Sequence, residues 1–171
     1  MTKANPLPSQ AELDELLSYE PLTGVLRWKV RSANCVQVGD VAGGFDDEGY
    51  RVVGVNHHRY LAHRVIWMMA HGFDPAELVV DHRDNDRANN RLANLRLATI
   101  GQNRANACSN NQSGLPKGVH KKRNRFQDRF QARINVDGVR KHLGMFDTPE
   151  LAHEAYCVAA QKVFGEFWRA A

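Results

Sequence analysis

No run of apolar residues in this chain approaches the ~20 needed to cross a bilayer, and Met1 to Gln10 lack the apolar core of a signal peptide. These two absences predict a cytoplasmic protein without a membrane partner. Cysteine is scarce: Cys35, Cys108 and Cys157 are the only three in 171 residues, far apart and without a C-x-x-C pair. That spacing removes both a disulfide framework and a zinc knuckle, and predicts reduced, structural thiols. The charge is unevenly placed. Between Ser113 and Phe146 there are nine basic residues against two acidic ones, Asp128 and Asp137, a net +7; the whole chain carries +4, so the remainder carries −3. A merely solvated basic face would mix in more acidic residues. Concentrated positive charge suits a polyanion, because neutralising phosphates releases condensed counterions. With 43% hydrophobic content, a chain of this length builds one ordinary domain or two small ones.

Local signals divide the chain into alternating elements. Ser9 is a candidate N-cap for a helix over Gln10 to Tyr19 with Leu13, Leu16 and Leu17 on one face. "TGVLRWKV" alternates as a strand, and "YRVVGV" and "RYLAHRVI" flank Asn56-His57-His58 as a hairpin. Ala62 to His71 repeats at helical spacing, with Gly72 as its stop. Thr99-Ile100-Gly101-Gln102 fits a capping box that starts another helix. After the polar stretch "NACSNNQSG" come two strands, a hairpin turn at Asp137-Gly138 and a third strand. A helix capped by Thr148 follows, with Pro149 at its first position and an apolar face from Ala152 to Phe164.

Between the two halves of this pattern lies "VVDHRDNDRANNRLANLRLATIGQN", Val79 to Asn103, whose middle is almost entirely polar. Asp81 and His82 sit side by side at a strand end. Asn103 falls in the first turn of the next helix, where its Cβ leans back toward the helix start. A carboxylate and an amide oxygen suit a hard cation that keeps waters and takes further ligands from phosphate, so the expected metal is Mg²⁺, with Mn²⁺ as the other candidate. An imidazole alongside serves as a base near neutral pH if a hydrogen bond orients it. Asn94, opposite on the return strand, is the candidate for that bond. On side-chain chemistry alone the alternatives stay open, since an adjacent Asp–His pair is more often structural and an Asn-rich loop is more often a turn.

The segment "VDHRDNDRANNRLANLRLATIGQN" closely resembles the signature of HNH homing endonucleases, the kind encoded in phages and self-splicing introns. The resemblance maps the catalytic His to His82, the middle Asn to Asn94 and the final metal-binding Asn to Asn103, with Asp81 as the second metal ligand. It implies a ββα-metal (His-Me finger) module that hydrolyses phosphodiester bonds of double-stranded DNA. The similarity spans roughly residues 12 to 106, taking in "PLTGVLRWKV" and "YLAHRVIWMMAHG". Many HNH enzymes place His at the last metal position and carry paired Cys-x-x-Cys knuckles; this chain has neither. Arg64, Arg83 and Arg96 are candidate DNA contacts, whereas His63 reads as structural.

Residues Ser113 to Phe167 resemble the Apetala/ethylene-response-factor DNA-binding domain through "SGLPKGVHKKR", "FQARINVDGVRKHLGMFDTPELAHEAYCVAA" and "FGEF". That resemblance implies a sheet that enters the major groove, with Lys117, His120, Lys122, Arg125, Arg129, Arg133, Arg140 and His142 at the contacting positions. "RNRFQDRFQARI" is longer between strands than the family's usual form.

The expected architecture is α+β: a nuclease domain with a strand-rich N-terminal extension over 1–106, a linker over 107–112, and a small three-stranded antiparallel sheet packed on one helix over 113–171. The expected function is a metal-dependent DNA endonuclease, a monomer or weak dimer that nicks one strand per active site. The alternative is a sequence-specific DNA-binding regulator with a vestigial nuclease unit.

Overall fold

Ser9 launches the first helix through a reciprocal capping box: its hydroxyl accepts from the Glu12 amide and the Glu12 carboxylate accepts from the Ser9 amide. The helix, α1 (Gln10–Leu16), stops earlier than its leucine spacing predicts. Leu17–Glu20 forms strand β1 instead, paired antiparallel with β2 (Val25–Trp28) in the register Leu17↔Trp28 to Glu20↔Val25. Leu13, Leu16 and Leu17 satisfy a helical stripe equally well, so pairing with a strand beyond the Pro21 turn decides the state of Leu17.

The computed structural model describes residues 5–75, 77–107, 114–123 and 127–169. Among these, β3 (Gly44–Phe45), β4 (Arg51–Val55) and β5 (His58–Leu61) form a sheet in that spatial order. The turn between β4 and β5 is the two-residue Asn56-His57, with φ of 49° and 64°, the left-handed pair that matches strand twist. His58, expected in the turn, pairs with Val55 as a strand residue. Helix α2 (Ala62–His71) follows and ends on Gly72 at φ 75°, as its sequence predicts. Strand β6 (Val79–His82) pairs with β7 (Leu95–Ala98), which is entered through a 3₁₀ turn at Leu92–Asn94. Leu13, Leu17, Leu26, Val53, Val65 and Ile66 centre the core, each contributing about 1.5–3 kcal/mol by leaving water.

The chain divides into two units, 1–97 and 98–171. Helix α3 (Ile100–Asn106), started by the Thr99–Gln102 capping box, therefore falls in the second unit, ahead of the expected linker. Of that linker, 108–112 lie outside the described residues. The second unit adds β8 (Val119–Lys122), β9 (Arg129–Val136) and β10 (Val139–Phe146), a purely antiparallel sheet with β9 at its centre. Asp137-Gly138, at φ 51° and 83°, makes the β9–β10 turn. Thr148 caps α4 (Pro149–Phe164) by accepting from the Leu151 amide. Val119, Ala132 and Ile134 meet Ala152, Tyr156 and Ala160 of α4. Gly118 is required there, because at its φ of 81° a Cβ would lie 2.1 Å from the Tyr156 ring. The fold class is α+β. Among the described residues no helix is long and apolar enough to cross a membrane, and Cys35 and Cys157 are free thiols.

Candidate functional site

Strand β6 ends on two of the candidate site residues, Asp81 and His82. Both are buried: Asp81 is 4% exposed and His82 5%. Asp81 Oδ2 accepts from Arg96 Nε of β7 at 2.9 Å, and Arg96 is itself 6% exposed. Arg96, expected on the DNA face, is thus the buried counter-charge of Asp81. The pair survives desolvation because each charge meets the other at hydrogen-bond distance.

His82 Nε2 lies 2.9 Å from Asn90 Oδ1. A carboxamide oxygen only accepts, so Nε2 is the donor of this pair. Asn90 is 1% exposed, one of the few fully buried polar side chains, and it supplies the orienting bond that the sequence reading assigns to Asn94. Asn94 staples the loop: its Nδ2 donates to Asp84 Oδ1 and to Asn89 O, both at 2.8 Å, and its Oδ1 accepts from the Asp84 amide at 3.1 Å. Its carbonyl accepts from the Arg83 amide at 2.8 Å. The loop is otherwise built from Asx turns, with Asp84 accepting from the Asp86 amide, Asp86 from the Ala88 amide, and Asn85 at φ 67°. Burial pushes the Asp84 carboxyl up, but donors from Asn89, Asp86 and Asn94, with His82 nearby, outweigh it and hold the group below its ordinary range.

Two further rings wall His82. His63 of α2 stands edge-on to it, with ring centroids 5.0 Å apart, and Tyr50 lies 5.5 Å from His63 and 6.2 Å from His82. Burial, reinforced by His82 and Arg64, pushes His63 down to about 3, so this ring is neutral and packs as an aromatic body. The Arg87 guanidinium lies over Tyr50 at 4.6 Å, and its Nη1 donates to Glu48 O at 2.6 Å. The polar loop is thereby tied to the β3–β4 connection.

Arg64, expected as a phosphate clamp, donates from Nη2 to both oxygens of Asp74 at 2.8 and 2.7 Å. It closes the turn after α2. Arg83 is exposed beside the loop. Asn103 sits half-buried in the first turn of α3. Asp81 and Asn103, the expected metal ligands, each carry a side-chain oxygen of the kind a hard cation takes. Among the described residues no cluster of three His, Cys, Asp or Glu side chains forms a closed metal site.

In the second unit the sheet face opposite α4 is polar and basic. Register places His120 beside Gln131, His142 beside Arg133, and Arg140 beside Asn135. Alternation with inward Ala132 and Ile134 turns Gln131, Arg133 and Asn135 to that face. His120, Lys122, Arg140 and His142 are exposed, and Arg133 is half-buried. Burial first, then Arg133, Arg140 and Lys122, push His120 below its ordinary value, which places those cations around one ring. Arg129 leans to the sheet edge, its Nε 3.1 Å from Asp147 Oδ1 and its Nη2 donating to Met145 O. Lys117 is used differently from expectation: its Nζ donates to the carbonyls of Arg104, Ala105 and Ala107 and so caps the end of α3. Arg125 lies outside the described residues.

Asn90, Tyr50 and His63 are the site residues that the sequence reading does not assign. Nothing in a run of asparagines marks which one is buried, so the signal for Asn90 arises only on folding.

Residues 60–105, which hold His63, Asp81, His82, Asn90, Asn94 and Asn103, match the model of the HNH endonuclease family. An uncharacterized HNH endonuclease of Acanthamoeba polyphaga mimivirus is 34% identical over 106 residues, which is 61% of this chain and 54% of that protein. The chain thus spans about half the length of this curated relative. A solved structure described as "DNA binding and cleavage by the HNH homing endonuclease I-HmuI" covers 81% of this chain and 76% of its own, at 21% identity and a TM-score of 0.42. A likeness that slight bears on neither the fold nor the roles of single residues.

Proposed function

We propose that the chain is a divalent-metal-dependent endonuclease of the HNH type acting on double-stranded DNA, with His82 as general base and Asp81 and Asn103 as metal ligands. The hydrogen bond between Asn90 Oδ1 and His82 Nε2 carries this reading. It selects the tautomer whose Nδ1 accepts a proton, and it holds a buried ring in one orientation, the two requirements of a positioned base. His82 takes the proton of a water as its oxygen attacks phosphorus and the phosphodiester bond breaks. A hard cation, when bound, stabilises charge on the phosphate and on the departing oxygen. Arg96 orients the Asp81 carboxylate, and the packed rings of Tyr50 and His63 keep bulk water from one side of the imidazole.

Supercoiled plasmid incubated with the full chain tests the activity. Nicking with Mg²⁺, its loss on chelation and its return on adding the metal are expected. Retained DNA binding with no nicking under Mg²⁺ or Mn²⁺ would leave the regulator with a vestigial nuclease unit.

The outer sheet face of the second unit is proposed to grip the duplex, in the manner of the Apetala/ethylene-response-factor domain it resembles. His120, Lys122, Arg133, Arg140 and His142 supply the charge and donors, and a β-sheet of this size fits the major groove. Arg129 meets Asp147 and is placed at the rim of the contact. Replacing Arg133 or Arg140 by Ala should weaken binding and make the slope of log K against log salt shallower by about 1 for each phosphate no longer neutralised. Equilibrium titrations across a salt series read that slope, and an unchanged slope in both variants would remove this face from the DNA interface. One active site per chain makes single-strand nicking the expected product of a monomer.

A further inference from the structure

The stretch "YEPLTGVLRW", Tyr19 to Trp28, has no part in the chemistry above, yet it touches the active-site loop at three points. The Tyr19 hydroxyl donates to Asn90 O at 3.2 Å and accepts from the Leu92 amide at 2.8 Å. Arg91 Nε donates to Leu22 O at 2.6 Å. The turn residue Gly24, at φ 76°, approaches so closely that a Cβ there would lie 2.6 Å from Arg91 N and 2.6 Å from Asn90 C. Residues 90, 91 and 92 are therefore clamped by a carbonyl bond, a side-chain bond and an amide bond to a hairpin about seventy positions away in sequence.

We propose that the β1–β2 hairpin is a brace for the catalytic loop, and that Tyr19 is a positioning residue which acts on His82 through Asn90. Asn has only two side-chain torsions, so fixing its backbone narrows where Oδ1 can go. Asn90 is buried to 1% exposure and spends Oδ1 on His82 Nε2. A shift of a few tenths of an ångström at the Asn90 backbone passes directly into a hydrogen bond whose strength falls steeply with distance and angle. Gly24 serves the same contact from the other side: the loop backbone occupies the space its side chain would fill. Thr23, in the same turn, bonds only inward, from Oγ1 to the Glu20 carboxylate at 2.8 Å. The hairpin thus contains residues hydrogen-bonded to the loop and a neighbour whose hydroxyl bonds within the hairpin.

The inference rests on the reading of His82 as the base, and its test separates the two. Tyr19→Phe keeps the ring in its packing and removes only the oxygen. Its single-turnover nicking rate should fall about tenfold, the lower end of what an outer-shell partner supplies, with the half-saturating DNA concentration unchanged. Gly24→Ala should act in the same direction by pushing on the loop backbone, whereas Thr23→Val should nick at the wild-type rate. In parallel, ¹⁵N spectra of the histidine ring at mildly alkaline pH should show His82 in one tautomer, protonated at Nε2, in the wild type and in Thr23→Val. Tyr19→Phe should mix the tautomers. Wild-type rates and an undisturbed His82 ring signal in both Tyr19→Phe and Gly24→Ala would overturn the brace. Should the ring signal shift while His82→Ala nicks normally, the brace stands and the assignment of the base falls.

Discussion

Arg96→Met is expected to destabilise the first unit by about 3 kcal/mol, the lower end for breaking a buried ion pair. The guanidinium and the Asp81 carboxylate are both almost fully buried and meet at 2.9 Å. Methionine fills much of the arginine stem's volume, so little of the loss is a cavity. What remains is a carboxylate held in the interior without its principal counter-charge. For a domain whose whole stability is typically ~5–15 kcal/mol, that is a large fraction. Urea unfolding followed by tryptophan fluorescence, to which Trp28 and Trp67 of this unit contribute, measures it. The double variant Asp81→Asn with Arg96→Met should recover much of the loss, because neither charge is then stranded. A midpoint unchanged in Arg96→Met would show that the pair carries no structural weight.

Arg96 also illustrates where sequence reasoning reaches its limit. An arginine looks the same on paper whether it meets a phosphate or a carboxylate, and the partner depends on what the fold brings beside it. Arg64 meets Asp74, Arg96 meets Asp81 and Lys117 meets the last carbonyls of α3. In each case a residue expected on DNA is satisfied within its own unit. The legible features are those whose cause is local. The Thr99–Gln102 capping box, Gly72 after α2, the Asp137-Gly138 turn and the Thr148-Pro149 start of α4 all follow from neighbouring backbone chemistry, and the structure has each. Leu17–Glu20 was not legible as a strand, because its partner strand lies across a turn and helical spacing describes the same leucines. Asn90 and Asn94 could not be told apart for a similar reason. Both are asparagines in one loop, and only the path of residues 83–94 decides that Asn90 faces His82 while Asn94 faces Asp84.

The remaining large effect concerns His82. The residue is 5% exposed, its ring bonded at Nε2 to Asn90 and walled by His63 and Tyr50. A general base so placed supplies roughly 10²–10⁴ in rate, about 3–5 kcal/mol of barrier. Alanine removes the proposed proton acceptor and alters no residue of the basic face that holds Arg133 and Arg140. Binding and cleavage should therefore separate. The contrast with Tyr19→Phe is one of degree: that variant is expected to loosen the proposed base, and His82→Ala to remove it. The most direct measurement is single-turnover nicking of a supercoiled plasmid in Mg²⁺ by the wild type and by His82→Ala, with duplex affinity determined alongside by fluorescence anisotropy. The predicted result is loss of nicking at unchanged affinity; wild-type nicking by His82→Ala would contradict the assignment of this histidine as the base.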